Sequence, residues 1–510
     1  MQPDLSANPK ERFSMSVDER RDDAAPASAE QSGSGIPRQI KLVIGLLLAA
    51  SFVMILNETV MSVAIPRLME DLTVSAATAQ WLTTAFMLTM AVVIPTTGLI
   101  LQRFTTRAVF IAAMSLFTVG TLIAALSPAF GVLVAARVIQ ASGTAVMLPL
   151  LITTVLTFVP ADRRGRTMGL ISIVISVAPA VGPTFSGFIL SILEWRWMFL
   201  SVLPIAGLSL AFGAVLVRNI TEPKAVKFDV LSVVLSALAF GGLIYGLSSI
   251  GEAASEPGST PLPPVVPIAV GTAALVLFVY RQLVLQRSDA ALMDLRPFRN
   301  RTFVIGITMM LISMGALFGT LILLPIYLQN VLNLTTLETG LILLPGGLAM
   351  GLIAPVIGRL FDRYGPRPLV IPGSIVVAAG LGLLNLLDES SSQGFVLSVY
   401  LMLTIGLGFM MTPLMTSALG SLRPELYPHG SAIVNTLQQL AGAAGTALFI
   451  TIMTTGTTAN LESGMDPVAA QSGGIHSAFT WGALLAVVAV AASFLVKRPA
   501  EEPAEAVPAH

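Results

Sequence analysis

The sequence predicts an all-α polytopic membrane protein that crosses a bilayer fourteen times, and three observations support this. Hydrophobic residues make up 55% of the 510 and charged residues only 11%. The mean hydropathy is +0.84, well outside the range of soluble domains. A soluble chain of this length would divide into several cores clothed in charge, and this one has too little charge to clothe them. The apolar residues also fall into separate runs of about twenty, the length of one helical pass.

Fourteen runs lie near 40–64, 78–101, 107–127, 131–157, 167–191, 197–217, 229–250, 264–284, 301–325, 338–358, 368–387, 395–418, 428–452 and 477–496. The fourth and fifth are interrupted by Pro149, Pro179 and Pro183, which bundled membrane helices tolerate. With the N-terminus inside, all but three of the 28 Lys and Arg fall on the cytoplasmic side; Arg67 and Arg196 lie outside and Arg137 lies within a span. That bias places both termini in the cytoplasm. Residues 1–38, rich in Ser, Ala, Asp, Glu and Arg, and residues 497–510 (KRPAEEPAEAVPAH) are expected to be disordered cytoplasmic tails. No cleavable signal peptide is visible, because the first apolar run begins late and is long enough to span.

Composition also narrows the chemistry. The net charge is zero, so no basic field suggests nucleic acid. The absence of Cys excludes disulfide frameworks, thiolate metal sites and cysteine nucleophiles. His429, His476 and His510 are scattered, so neither a metal nor a cofactor is expected. An intramembrane enzyme would need a nucleophile–base or metal constellation at depth. A sensor or scaffold would need a large soluble module. The chain offers neither.

One carboxylate lies inside a span. Glu58 sits in the run IKLVIGLLLAASFVMILNETVMSVA, where an ionisable side chain costs a few kcal/mol and marks a functional site by default. Counting inward from the outer ends of the first and fourth spans, Glu58 and Arg137 both lie about 9 Å deep. The sole intraspan acid and the sole intraspan guanidinium thus share a depth. Glu58 is expected to bind a proton or a cationic substrate, with Arg137 tuning its proton affinity; burial and a neighbouring cation pull on such an acid in opposite senses. The plain alternative is a static ion pair fixing the two helices together.

Two stretches run in parallel at an offset of about 260 residues. Pro66 corresponds to Pro325, and the segment Pro95–Gly98–Arg103–Arg107 corresponds to Pro355–Gly358–Arg363–Arg367. Repeated halves with a substrate site at the midplane between them are a transporter signature. Residues 39–218 and 301–496 are then two six-helix bundles, and 219–300 supplies two inserted helices, a 6+2+6 arrangement. Leu317 and Leu397 stand where the second half would carry partners of Glu58 and Arg137, so coupling chemistry belongs to the first half.

These strings resemble the major facilitator superfamily, and within it the 14-helix drug:proton antiporters of the EmrB/QacA type. Gly358-x-Leu360-x-Asp362-Arg363-x-Gly365-x-Arg367 resembles the superfamily's cytoplasmic loop motif, and its first-half copy departs at Gln102 and Thr105. Leu56-Asn57-Glu58-Thr59 through Pro66 resembles the first-helix signature, with Asn57 where Asp is usual, a version like the lincomycin-resistance branch. Trp195-Arg196-Trp197-Met198-Phe199 is another string similar to the family's. Arg137-Val-Ile-Gln140-Ala-Ser-Gly143 resembles the fourth-helix motif, whose Arg the family implicates in proton transfer; donation to first-helix carbonyls is the other reading. Gly169, Ala178, Gly182, Pro183, Ser186 and Gly187 resemble the antiporter motif of the fifth helix. Ala178, Gly182 and Ser186 recur every four residues, a smooth stripe for close packing.

The resemblance implies the major facilitator fold and proton-driven export of amphipathic drugs across a bacterial inner membrane by a monomer, energised by the proton gradient. Export of a defined endogenous metabolite, lipid or siderophore is the alternative. Asp362, Arg363 and Arg367, with Gly358 and Gly365, are expected to form a cytoplasmic latch across the half-boundary. Asn57, Thr83, Thr84, Gln140, Asn435, Gln438 and Gln439 are candidates to face the central cavity; Asn435, Gln438 and Gln439 share one helix face. Met309, Met310, Met314, Met410, Met411 and Met415 offer either adaptable substrate contacts or packing.

Overall fold

The computed structural model describes residues 38–74, 76–217, 219, 223, 229–255, 262–288 and 291–496. The two expected tails lie outside the described residues, apart from Arg38. Among the described residues every regular element is helical. The first half contains α1 (Arg38–Leu72), α2 (Ala76–Val93), α3 (Thr97–Arg103), α4 (Thr106–Ala125), α5 (Phe130–Phe158), α6 (Arg164–Ile192) and α7 (Arg196–Leu216). The inserted pair is α8 (Val230–Ser255) and α9 (Val265–Leu285). The second half contains α10 (Arg301–Asn330), α11 (Thr336–Tyr364), α12 (Arg367–Leu384), α13 (Gln393–Gly420), α14 (Tyr427–Glu462) and α15 (Pro467–Ser493).

Each expected span is occupied by helix, with the second divided at a 3-10 turn over Ile94–Thr96 that contains Pro95. Among the described residues thirteen helical stretches are long and apolar enough to cross a membrane. The fifth expected span is occupied by α6, 29 residues long, which packs between α1 and α11.

Several helices outrun their apolar stretches. α1 continues past Pro66 to Leu72 and α10 past Pro325 to Asn330, whereas both prolines were expected at span ends. Hydropathy marks the segment in hydrocarbon; the hydrogen-bonded helix extends beyond it into the interface. Polar caps set many of the starts. Thr105 accepts from Ala108 N–H at α4, Ser392 from Phe395 N–H at α13, and Thr335 and Glu338 form a reciprocal capping box at α11.

The internal repeat persists in the packing. α4 against α5, α4 against α7 and α1 against α6 in the first half have counterparts in α12 against α13, α12 against α15 and α10 against α14. Between the halves, α6 packs on α11, and α14 packs on α3 and α5. The first half's core gathers around Trp195, which is fully buried and meets Phe199 edge-on at 6.3 Å. Arg196 lies over the Trp195 ring and donates to the Ser127 carbonyl at 3.1 Å, tying α7 to the turn after α4.

The inserted helices form a hairpin in which the backbones of Gly242 and Gly271 approach closely. Asp229, just before α8, takes two bonds from Arg281 of α9 at 2.7 and 2.8 Å. The Arg281 bonds hold the Asp229 carboxyl down to about 2. α8 also packs against α2 of one half and α14 of the other, with Trp81 stacked on Tyr245 at 6.3 Å.

Candidate functional site

Arg137 is fully buried on α5, and a guanidinium there needs acceptors for its donors. Neutral groups supply them. Nη1 donates to Asn57 Oδ1 at 3.0 Å, Asn57 O at 3.4 Å and Gln140 Oε1 at 3.1 Å. Nε donates to Leu82 O at 3.4 Å, and Nη2 reaches Glu58 O at 3.5 Å. The guanidinium carbon stands 4.1 Å from the centroid of the Phe86 ring, a cation–π contact. Gln140 Nε2 in turn donates to Thr121 Oγ1 at 2.9 Å.

Glu58 therefore shares Arg137's level through its main chain, while its carboxylate makes no ion pair or hydrogen bond with Arg137 or any other described residue. Its side chain is half-buried. The expected opposed pair is mediated by Asn57, one residue earlier on α1. An ideal helix turns about 100° per residue, so Asn57 meets α5 while Glu58 leaves that contact. Asn57 and Gln140 were expected in the cavity; both are instead packed around the guanidinium, because it consumes their side-chain oxygens. Asn57 Nδ2 remains buried without a hydrogen-bond partner.

The α6 motif works on two faces. Gly169 lies against the backbone of Ala354 and Pro355 on α11, and a Cβ at Gly358 would strike Gly165. Gly182 meets Thr59 of α1, and Ala178 belongs to the first-half core. Ser186 contacts Met198 Sδ at 3.1 Å. Nothing lies within 4 Å of a Cβ built on Gly187, and Pro183 shares the helix.

At the end of the bundle expected in the cytoplasm, Asp362 caps α6: Oδ1 accepts from Gly165 N–H at 2.7 Å and Oδ2 from Arg166 N–H at 2.9 Å. A carboxylate at a helix N-terminus satisfies orphan donors and opposes the dipole. Gly365, at φ 79, ends α11 in the left-handed region that favours glycine. Of the other expected latch residues, Arg363 lies over Tyr364 and Arg367 donates to Phe494 O at 3.3 Å. Both of these contacts stay within the second half. Among the cross-half contacts not foreseen are two involving α6. Arg164 donates to the Tyr427 hydroxyl at 3.2 Å, and the Ser172 and Thr412 hydroxyls meet at 2.8 Å. No charge or spacing in the sequence signals either pair.

Thr83, Thr84, Gln438 and Gln439 are half-buried. Asn435 is buried and donates to Ser431 O at 2.8 Å. All six methionines named above are buried, which assigns them to packing. An apolar cavity of about 320 Å³ opens between α10, α14 and α15 beside Leu311, Gly315, Leu437, Ala441 and Gly445.

The site can now be set against known proteins. Residues 47–446 match the model of the Major Facilitator Superfamily. The lincomycin resistance protein LmrB of Listeria monocytogenes is 43% identical, covering 92% of this chain and 99% of the relative. That of Bacillus subtilis is 41% identical, covering 92% and 98%. The multidrug resistance protein B homolog of Mycobacterium tuberculosis is 30% identical over 80% of this chain and 75% of its own length. In structure, the human organic anion transporter MFSD10 (TETRAN) superposes with a TM-score of 0.63 at 14% identity, over 89% of this chain and 99% of that one, which establishes a shared fold. The chain is a multi-pass membrane protein and belongs to the Major Facilitator Superfamily, alongside relatives named for lincomycin and multidrug resistance.

Proposed function

We propose that the chain exports amphipathic drugs from the cytoplasm in exchange for protons, by alternating access across a bacterial inner membrane, as a monomer. The observation that carries this reading is the asymmetry at Glu58 and Arg137. The guanidinium has its donors taken up by neutral acceptors, so no described residue hydrogen-bonds or ion-pairs the Glu58 carboxylate, on which Arg137 acts only through space. An acid at membrane depth without such a bond is suited to exchange a proton for a cationic or polar ligand. The relatives named for drug resistance support the substrate class.

In this cycle Glu58 loses its proton to the cytoplasm as the substrate binds and regains one from outside as the substrate leaves. The α6–α11 and α3–α14 contacts come apart and re-form between the two states. In this reading half-buried Thr83, Thr84, Gln438 and Gln439 face the substrate between the halves. The chain's own residues bind and move protons; no cofactor is invoked.

The test compares wild type with Glu58→Gln in an efflux-deficient bacterium and in proteoliposomes carrying a pH gradient. The expected outcome is susceptibility like that of the empty vector and loss of gradient-driven efflux, at normal membrane abundance. Retained gradient-driven efflux in Glu58→Gln would sink the proposal. Wild-type cells as drug-sensitive as the empty vector would favour a defined endogenous substrate instead.

A further inference from the structure

His429 is buried near the start of α14, opposite the position Asp362 holds in the other half. The two junctions are related by the internal repeat: Asp362 follows Gly358 and meets the start of α6, and Gln102 follows Gly98 and meets the start of α14. One junction is a carboxylate on backbone amides. The other is an amide on an imidazole.

The ring meets Gly98 and Gln102 of α3 and, in the segment after the inserted helices, Asp294 and the Leu292 main chain. Gly98 of α3 leaves it room, since a Cβ there would stand 2.9 Å from Nδ1. The Asp294 N–H, in the segment after the inserted helices, donates to Nδ1 at 3.3 Å. Gln102 Nε2 lies 2.6 Å from His429 Nε2. An Nδ1 that accepts cannot carry a proton, so the neutral ring carries its proton on Nε2. Two N–H donors cannot share the remaining gap, so rotation of the Gln102 amide presents its oxygen there. With that orientation both ring nitrogens are satisfied in neutral His429. An imidazolium would place Nδ1–H against Asp294 N–H, donor against donor.

Among the described residues no carboxylate hydrogen-bonds the ring. Asp294 spends one oxygen on the Arg296 side chain at 2.6 Å and the other on Arg296 N–H at 2.8 Å. These two act on the ring electrostatically with opposite sign. Among the described residues the other charged or titratable groups on and around α14 include Arg103 on α3, Arg137 on α5, Asp229 (paired with Arg281) before α8, Arg301 at the start of α10, Arg423 and Glu425 in the turn before α14, Glu462 at its far end, and Asp466 and His476 with α15.

We propose that His429 is a second proton-binding site, one that releases the cytoplasmic mouth instead of driving transport. Neutral His429 holds α3, the Asp294 segment and α14 together; a cytoplasmic proton on Nδ1 breaks the Asp294 bond and frees α14 from the first half. This rests on the export reading for which end faces the cytoplasm, and it predicts that acidification of that side opens it.

The chain has no Cys, so cysteines introduced at exposed Arg103 and Glu425 in the full-length protein can carry spin labels across the junction. In lipid nanodiscs the distance distribution should be short at pH 8 and gain a longer component as pH falls to 5.5. The open-to-closed ratio should rise by up to about tenfold per pH unit. His429→Gln, whose amide oxygen can still accept from Asp294, should hold the short distance at every pH. Gln102→Ala, which keeps the histidine but removes its Nε2 partner, should raise the long component at pH 8. Glu58→Gln should keep the pH shift. An unchanging wild-type distance, or a shift that survives His429→Gln, would overturn the proposal. A shift lost in Glu58→Gln would assign the pH response to the coupling acid and overturn it equally. The measurement needs no transport, so its failure is separable from failure of the export reading.

Discussion

Asn57 and Arg137, on helices α1 and α5, are joined side chain to side chain at 3.0 Å, and Asn57 also offers its main-chain carbonyl to the same guanidinium nitrogen at 3.4 Å. The neutral residue thus supplies Arg137's side-chain acceptor, and the charged neighbour Glu58 offers only its main-chain carbonyl, at 3.5 Å. Asn57→Leu, close in volume, removes the shortest of the three bonds from Arg137 Nη1 at full burial and leaves the Asn57 carbonyl and Gln140 Oε1 as its acceptors. That should cost about 1–3 kcal/mol, read as a lower unfolding midpoint in nanodiscs. Asn57→Asp should retain the midpoint, since a carboxylate accepts the same bonds.

Arg137→Lys separates charge from geometry. A lysine keeps the charge but presents a compact ammonium in place of a planar fork, so the span from Leu82 O to Gln140 Oε1 cannot be bridged as now. Initial rates of efflux in proteoliposomes should fall at least about tenfold, with membrane abundance within about twofold of wild type. Rates equal to wild type would show that the fork is dispensable.

Asp362→Ala removes the cap from Gly165 and Arg166. Losing a capping carboxylate costs about 0.5–2 kcal/mol, and here the loss falls on contact between the halves. The expected result is faster labelling of a cysteine placed at Ser172, which is buried against Thr412, by a membrane-impermeant reagent applied from the cytoplasmic side. Asp362→Asn, which keeps one acceptor, should fall between.

Asp229 gives a pH prediction. Its pKa is lowered to about 2 by Arg281 and Ser232, below the ordinary carboxylate value. A depressed carboxylate contributes stability above its unfolded pKa, which is lost as pH falls from about 4 through about 2. Allowing for solvent screening, Asp229→Asn should cost about 1 kcal/mol at pH 7 and almost nothing near pH 2. Urea unfolding followed at both pH values checks it.

Much of this architecture was legible before any coordinates. Apolar runs located the helices because hydrocarbon leaves a backbone few other solutions, and the Gly358–Arg367 string located the boundary between the halves. The reading failed at interhelical partners. That Glu58 and Arg137 share a level was visible from their distances to span ends, yet the choice of Asn57 over Glu58 depends on helix rotation, which hydropathy does not record. Phe86 lies under Arg137 and Thr121 accepts from Gln140 as ordinary apolar and hydroxyl residues, with no local signal. His429 was set aside as one of three scattered histidines, and only the fold brings Gln102 and Asp294 to it.

Helix α8 lies against α2 on one side and α14 on the other, so the two seams between the halves are unlike. Along α6 and α11 the halves meet bare, backbone on backbone; along α2 and α14 a plank of the same chain covers the joint. A greasy molecule dissolved in the bilayer faces one seam made of two helices and another boarded over from inside the chain. The two seams are thus unequal toward lipid, and the otherwise twofold molecule has a front and a back.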